Sequence, residues 1–351
     1  MRLPVPRLLP VVLLLFLLNF WAPAVLRAQE APSPDTPLPP SKAPAQEEQV
    51  LHEGQTLKVN VNLVDVYFSA RDNHGFIAGL RKDDCQLMED NKPQVIKNLT
   101  QEKVPLTIGI LLDTSGSQQY VLPLEKESGS HFLKDVITPK DEAFLISFDV
   151  NVDLLADFTN SPRELDRAMQ KASINTASSS AGVPGIGGGP FPTSNPRGTL
   201  LFDAVYLASH DKLMSQTGRK IIVIVSDGGD NGSQVNLKGA IEAAQKANAI
   251  VYVIFISDPH YLSGYGDMIQ LTEQTGGRLI NVGHDGRKLE DAFDQIQDEL
   301  RTQYLASYTP ANKEADGKFR KVELECGKGV KVQARKGYYA IIGGGDDAKI
   351  E

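Results

Sequence analysis

Between residues 105 and 305 the chain alternates short apolar runs with segments in which apolar residues recur at helical spacing. Most of the runs are continuously apolar, as is typical of strands buried on both faces of a parallel sheet. The stripes between them predict helices, and together these elements predict an α/β fold with a mostly parallel central sheet and helices on both faces. The predicted strands are residues 106–112, 143–148, 221–226, 250–256 and 278–281, with a candidate edge strand at 151–156.

The two segments that flank this region have a β-rich pattern. Residues 57–69 alternate apolar and polar side chains, and the chain after Tyr304 contains short strand-like runs separated by glycine-containing turns. We therefore predict a central domain at residues 104–305 between β flanks at 50–103 and 306–341. The flanks either pair into one discontinuous β-sandwich or form independent β extensions.

The first 28 residues have the features of an export signal. Arginines flank the start of an apolar run at residues 11–18, and the small residue Ala28 provides a cleavage point. The run is shorter than the roughly 20 residues that a transmembrane helix needs. We expect cleavage that leaves no membrane span, with an uncleaved anchor as the alternative. A proline-rich linker at 29–49 and a flexible tail at 342–351 complete the predicted organisation, and the predicted location is secreted, periplasmic or in the cell envelope.

The charge of the chain bears on the class of partner. The formal net charge is −8, and loss of residues 1–28 would remove three arginines and no acid, giving −11. Nucleic-acid binding requires clustered Lys and Arg side chains. We therefore do not expect nucleic acid to be a partner.

The chain contains two cysteines, Cys85 and Cys326, one in each β flank. No Cys-x-x-Cys motif and no clustered Cys and His pattern for zinc is present. An exported protein can form disulfides, and a bridge between these residues would tie the two flanks together. The alternative is a pair of unpaired thiols buried in strands.

Residues 173–198 form a segment rich in Ser, Gly and Pro that has no periodicity. Its glycines are not preceded by a strand or followed by Lys-Ser or Lys-Thr, which excludes a phosphate-binding loop. A long structureless insertion in a compact domain is usually functional or disordered. We predict a flexible surface loop.

Oxygen-bearing side chains follow two strands of the predicted sheet. Asp113, Ser115 and Ser117 alternate directly after the first strand, Thr199 precedes a predicted helix, and Asp227 follows the third major strand. Mg²⁺ prefers oxygen ligands of these kinds. Ligands of open parallel sheets bind beyond the carboxyl ends of the strands, where these residues should meet. Each segment alone is an ordinary turn or helix cap, but their order and placement favour a shared metal site.

This combination resembles the metal-ion-dependent adhesion site of von Willebrand factor type A domains. The resemblance covers the central domain and implies a Rossmann-like fold for it. The implied ligands of Mg²⁺, with Mn²⁺ or Ca²⁺ as alternatives, are Asp113, Ser115, Ser117, Thr199 and Asp227. It further implies that the serines and often the threonine bind the metal directly, that the aspartates bind directly or through water, and that Asp or Glu from a protein partner completes the shell.

The whole layout is also similar to that of secreted bacterial proteins with a related domain. The similarity rests on residues 72–75, 80–90, 147–149 and 336–340. The chain departs from that pattern at Cys85, where a large apolar residue is expected. The departure leaves the five candidate ligands unchanged.

The candidate chemistry favours binding over catalysis. The six histidines form no pair with metal-ligand spacing, and the chain has no Gly-x-Ser-x-Gly motif. A two-metal hydrolytic site needs more carboxylates than these loops supply. We therefore predict an exported adhesion module without enzymatic activity. The alternatives are a structural envelope or matrix component whose metal site binds no ligand, and, less favoured, a metal-dependent hydrolase.

Overall fold

The structure, a computed structural model, describes residues 63–101, 104–174, 198–257 and 263–341. The predicted signal, linker and tail, and most of the predicted 173–198 loop, lie outside these residues. The strands are β1 (Val64–Asp72), β2 (Gly75–Phe76), β3 (Cys85–Glu89), β4 (Lys92–Gln94), β5 (Ile96–Thr100), β6 (Leu106–Asp113), β7 (Glu142–Phe148), β8 (Val152–Thr159), β9 (Arg219–Ser226), β10 (Ala249–Phe255), β11 (Leu279–Asn281), β12 (Tyr304–Tyr308), β13 (Phe319–Cys326), β14 (Lys331–Ala334) and β15 (Gly337–Tyr339). The α-helices are α1 (Leu122–Val136), α2 (Pro162–Lys171), α3 (Leu201–Leu207), α4 (Leu237–Lys246), α5 (Tyr265–Thr275) and α6 (Gly286–Thr302). None of the helices in the described ranges has the length and apolar character needed to cross a membrane.

The central sheet has the strand order β11-β10-β9-β6-β7-β8, in which only the edge strand β8 is antiparallel to its neighbour. Every residue of β6 and of β9 is buried, because helices cover both faces of the sheet. The predicted strands are confirmed, with end positions that differ by at most three residues. The α/β fold class is therefore confirmed.

Two hydrophobic cores lie on opposite faces of this sheet. On one face, Ile110 of β6 belongs to the same cluster as side chains of α1, α2 and α6. On the other face, Leu111 clusters with side chains of α3, α4 and α5. Each fully buried Leu or Ile stabilises the fold by about 1.5–3 kcal/mol relative to an exposed position. Neighbouring residues of a strand point to opposite faces of the sheet. The sheet therefore packs against a layer of helices on each side.

The two β flanks form one sandwich. One sheet has the order β14-β1-β12-β5, with β2 paired to β1, and the second has the order β15-β13-β3-β4. Both sheets contribute to a single core that includes Phe68, Leu87, Tyr304 and Leu324. The expectation of a discontinuous β-sandwich is confirmed, and the alternative of independent β extensions is wrong. Amino-terminal and carboxyl-terminal strands are neighbours in both sheets, so neither flank completes the sandwich alone.

A disulfide joins Cys85 of β3 to Cys326 of β13. The two residues are directly opposite each other in the antiparallel pair, and both are buried. They are separated by 241 positions in the sequence, so the bond links the two flanks across the whole central domain. Neither cysteine is free.

A buried polar network connects the sandwich with the central domain. The Glu299 carboxylate of α6 accepts hydrogen bonds from the Ser69 hydroxyl of β1 (2.9 Å) and the Tyr252 hydroxyl of β10 (3.1 Å). It also forms an ion pair with Arg278, whose Nε lies 2.7 Å from Oε2. Burial raises the pKa of Tyr252 well above its ordinary value, so its hydroxyl remains a donor. One carboxylate therefore satisfies donors from both parts of the fold.

Candidate metal centre

The candidate site lies where β6 and β9 end side by side. Leu112 and Val225 are paired in these parallel strands, so the next residues, Asp113 and Ser226, lie at the same edge of the sheet. Asp227 follows directly. The structure thus brings the first and third sequence segments of the predicted site to the carboxyl ends of two adjacent central strands.

The Asp113 carboxylate is fully buried and held by two donors. Oδ1 accepts the backbone N–H of Ser115 at 2.9 Å, and Oδ2 accepts the Ser226 hydroxyl at 2.6 Å. Burial raises the pKa of Asp113 to about 6, although the hydrogen bonds from Ser115 and Ser226 oppose this effect, and the nearby charge of Asp227 raises it further. A buried carboxylate in such a place is stabilised when a cation binds to it.

The two serine hydroxyls are adjacent. A 3-10 turn at Gly116–Gln118 follows Ser115, and the Oγ atoms of Ser115 and Ser117 lie 3.0 Å apart. Neighbouring ligands of an octahedral Mg²⁺ with bonds of about 2.0–2.1 Å are also about 3 Å apart. The spacing of these hydroxyls therefore suits two adjacent coordination positions.

Asp227 lies in a tight turn that depends on a glycine. Its Oδ1 accepts the backbone N–H of Gly229 at 3.1 Å. Gly228 has a φ of +79°, and a Cβ atom there would lie 2.6 Å from the Phe255 ring. Only glycine combines this backbone conformation with the close approach of Phe255. The turn holds the Asp227 side chain half-buried beside Asp113.

Thr199 is attached to the loop that carries Asp227. Its backbone exchanges hydrogen bonds of 3.1 Å and 2.9 Å with Asn231. Asp230 of the same loop accepts the backbone N–H of Phe202 at 3.1 Å, in the first turn of α3. In the described structure the Thr199 side chain makes no hydrogen bond to the other four predicted ligands. The structure thus places Thr199 on the adjoining loop by backbone pairing.

A cavity of about 350 Å³ opens beside the candidate ligands. Its lining includes Ser117, Asp227, Gly229 and the exposed His284. Two candidate ligands therefore face a space large enough for a side chain of another molecule.

Hydroxyl groups make up more than half of the candidate ligands. Within the part of the chain that the structure describes, no group of three or more His, Cys, Asp or Glu side chains is arranged to hold a metal. The candidate site has two carboxylates, Asp113 and Asp227, and hydroxyls from Ser115 and Ser117, with Thr199 on the next loop. This donor set is hard and oxygen-only, and it fits Mg²⁺, Mn²⁺ or Ca²⁺ better than a soft metal.

Glu125 of α1 is an acidic residue near the site that is not among the predicted ligands. This residue is fully buried, and burial raises the pKa of its carboxyl well above the ordinary value, with further contributions from the charges of Asp113 and Asp227. The sequence pattern could have identified this residue, because Glu125 is a glutamate on the apolar face of a helix, one turn from Leu122 and Gly129.

Known proteins are similar to this chain in structure but not in sequence. No protein-family model matches the sequence, and no curated protein matches it. A similar solved structure is the vWF domain of the type V pili tip protein Mfa5 from Porphyromonas gingivalis, with 14% identity, a TM-score of 0.42, and coverage of 56% of this chain and 95% of that chain. The central domain is an α/β domain with a mostly parallel six-stranded sheet, and its similarity to this vWF domain concerns the fold alone.

Two further structures are similar at the same level. The conserved hypothetical protein BatB from Bacteroides thetaiotaomicron has 17% identity and a TM-score of 0.41, with coverage of 55% of this chain and 98% of that chain. Proximal thread matrix protein 1 from the mussel byssus, with a zinc occupied MIDAS motif, has 13% identity and a TM-score of 0.43. The match covers 60% of this chain and 49% of that protein, so this chain spans about half of its length. At these identities and TM-scores the similarities assign neither a metal nor a partner to this chain.

Proposed function

We propose that this protein is a metal-dependent binding module that recognises an acidic group of a protein partner. The observation that carries the proposal is the meeting of four oxygen-bearing residues at one sheet edge: Asp113, Ser115, Ser117 and Asp227. The Asp113 carboxylate is buried and fixed by two donors, and the serine hydroxyls lie 3.0 Å apart. The proposed cation is Mg²⁺, with Mn²⁺ or Ca²⁺ as alternatives, and Thr199 is the fifth proposed ligand.

The chemistry of the proposed cation favours an acidic partner, because Mg²⁺, Mn²⁺ and Ca²⁺ prefer oxygen ligands such as carboxylates. Asp113 and Asp227 together balance the charge of one divalent cation, while the hydroxyls of Ser115 and Ser117 are neutral. A further carboxylate would therefore bind through a direct bond to the cation and not through a net positive charge of the site. Mg²⁺ usually keeps several waters, and an Asp or Glu side chain of the partner would replace one of them.

We also propose that the protein is exported. The predicted signal at residues 1–28 supports this location, and so does the Cys85–Cys326 disulfide, because disulfides persist in oxidising compartments. The proposed location is secreted, periplasmic or in the cell envelope. There the module would meet protein ligands and not nucleic acid.

The first test is metal-dependent stability. Adding Mg²⁺ at about 100 times its Kd should stabilise the oxidised protein by about 2.7 kcal/mol and raise its Tm. Asp113→Ala should abolish the rise, because it removes the buried carboxylate that faces the cation. Asp153→Ala, at an exposed position of β8, is the matched control and should respond like the wild type. Identical melting of the wild type with Mg²⁺, Mn²⁺, Ca²⁺ and EDTA would contradict the proposed metal site.

Metal binding should also weaken in acid. The pKa of Asp113 in the metal-free protein is about 6, and the cation has to displace the proton below that pH. Affinity for Mg²⁺ should therefore fall about tenfold between pH 7.5 and pH 5. Isothermal titration calorimetry at the two pH values measures this change. Equal affinity at both would mean that Asp113 does not have to lose a proton to bind the metal.

A capture experiment tests the acidic partner. Immobilised wild-type protein should retain a peptide library member that contains Asp or Glu, and EDTA should release it. Retention should be lost with Asp113→Ala and with Asn or Gln in place of the acidic residue. If the metal binds but capture is insensitive to EDTA, the structural-component alternative is favoured instead.

A further inference from the structure

Glu125 is a buried acidic side chain to which the described part of the chain supplies no hydrogen bond. It lies on α1, whose buried face also carries Leu122, Phe132 and Leu133. Neither of its carboxylate oxygens has a hydrogen-bond partner among the described residues. An ionised carboxylate in this position carries a large desolvation cost unless an opposite charge or a set of donors compensates it. Helix packing alone gives no reason for an acid at this position.

The two carboxylates of the candidate metal centre lie close enough to affect Glu125. The charges of Asp113 and Asp227 both raise the pKa of the Glu125 carboxyl, after the larger contribution of burial. None of the ion pairs found among the described residues includes any of these three acids. The described part of the chain therefore places three acids near one another and pairs none of them with a basic side chain.

Other unpartnered polar atoms lie in the same segment. The Ser128 hydroxyl, one helical turn after Glu125, is buried and has no hydrogen-bond partner within the described ranges, and the same holds for Oε1 of Gln118. Gln118 belongs to the 3-10 turn that follows Ser115. Buried polar groups in folded proteins are nearly always satisfied by protein or by ordered water. The buried polar atoms of this segment therefore need hydrogen-bond partners that the described side chains do not supply.

The three acids are not arranged as direct ligands of one metal, because no cluster of three such side chains with that geometry occurs among the described residues. We propose that Glu125 is a positioning residue of the metal centre and accepts hydrogen bonds from water bound to the cation. This inference rests on the proposed function. A bound cation lowers the electrostatic cost of an ionised Glu125, and Glu125 in turn orients a bound water and strengthens binding. Outer-shell groups of this kind contribute about 10–100-fold to metal affinity.

The proposal predicts two effects of opposite direction for Glu125→Gln. The metal-free protein should become more stable, because a buried carboxylate near two like charges has been replaced by a neutral amide of the same shape. Affinity for Mg²⁺ and Mn²⁺ should fall about 10–100-fold, because the amide is a weaker acceptor and carries no charge. An acid that serves only to fill space would not show the loss of metal affinity.

The experiment is isothermal titration calorimetry with MgCl₂ and MnCl₂, together with metal-free thermal unfolding, on the oxidised protein. Glu127→Gln, at an exposed position of the same helix, is the matched control and should match the wild type. Glu125→Met is a second variant of similar volume, which keeps the test possible if the amide disturbs the fold. The electron paramagnetic resonance spectrum of bound Mn²⁺ should also change in both Glu125 variants.

The outcomes separate this inference from the proposed function. Wild-type binding with a 10–100-fold loss in both Glu125 variants, and no loss in Glu127→Gln, supports the role of Glu125. Wild-type binding with unchanged affinity and unchanged Mn²⁺ spectra in the Glu125 variants overturns it and leaves the metal site standing. A wild-type protein that binds neither metal overturns both.

Discussion

Reduction of the Cys85–Cys326 disulfide should lower the free energy of unfolding by about 3–5 kcal/mol. The bond closes a loop of 241 positions, and long loops gain most in the chain-entropy account of disulfide stabilisation. Its two strands, β3 and β13, come from opposite sides of the central domain. When the bond is open, the sandwich must bring together segments that are connected only through that domain.

Urea unfolding of the oxidised and the reduced protein measures this effect. The double variant C85A/C326A should have a stability close to that of the reduced protein and should not respond to reductant. Titration of thiols in the unreduced, denatured protein provides the control and should find none. Coincident unfolding curves for the oxidised and reduced proteins, or two free thiols in the unreduced protein, would contradict the stabilising role of the bond.

The central sheet could be predicted from the sequence because its strands have a pattern that does not depend on their partners. A strand buried on both faces is apolar throughout, whichever strand lies beside it. β6 and β9 are continuously buried, and both were found within two residues of their ends. The same parallel geometry explains why the residues that follow them meet at one edge.

The pairing of the flanks could not be predicted in the same way. Alternation in residues 57–69 indicates a strand with one buried face but does not identify its neighbour. In the structure β1 pairs with β12 and β14, more than 200 residues later in the chain. The register of such a pair depends on both strands and on the core they share. The pattern is therefore compatible with one discontinuous sandwich and with independent β extensions.

At the candidate site, the sequence pattern identifies residues that have a recognisable spacing. It does not identify residues whose role depends only on their position in the folded protein. Asp113, Ser115 and Ser117 follow one strand in an alternating pattern. Glu125 and Ser226 have a role near Asp113 only because α1 and β9 pack against β6. Their importance depends on distance in the fold, to which sequence separation is a poor guide.

Replacing Glu299 with alanine should destabilise the protein by about 3–5 kcal/mol. The carboxylate is buried and accepts hydrogen bonds from Ser69 and Tyr252, in addition to its ion pair with Arg278. Its removal leaves two buried hydroxyls without their acceptor and a half-buried guanidinium without its counter-charge. Because these groups come from the sandwich and from the central domain, the loss should affect both.

Urea unfolding of Glu299→Ala against wild type provides the measurement, and Glu290→Ala, an exposed acid on the same helix, provides the matched control. A double-mutant cycle with Ser69→Ala then isolates the contact between α6 and β1, and residues that share a buried hydrogen bond should show a coupling energy of about 1 kcal/mol. Stability of Glu299→Ala equal to that of Glu290→Ala would mean that the network contributes nothing. A destabilised variant with zero coupling would instead show that Glu299 acts within the central domain and that its hydrogen bond with Ser69 contributes nothing to stability.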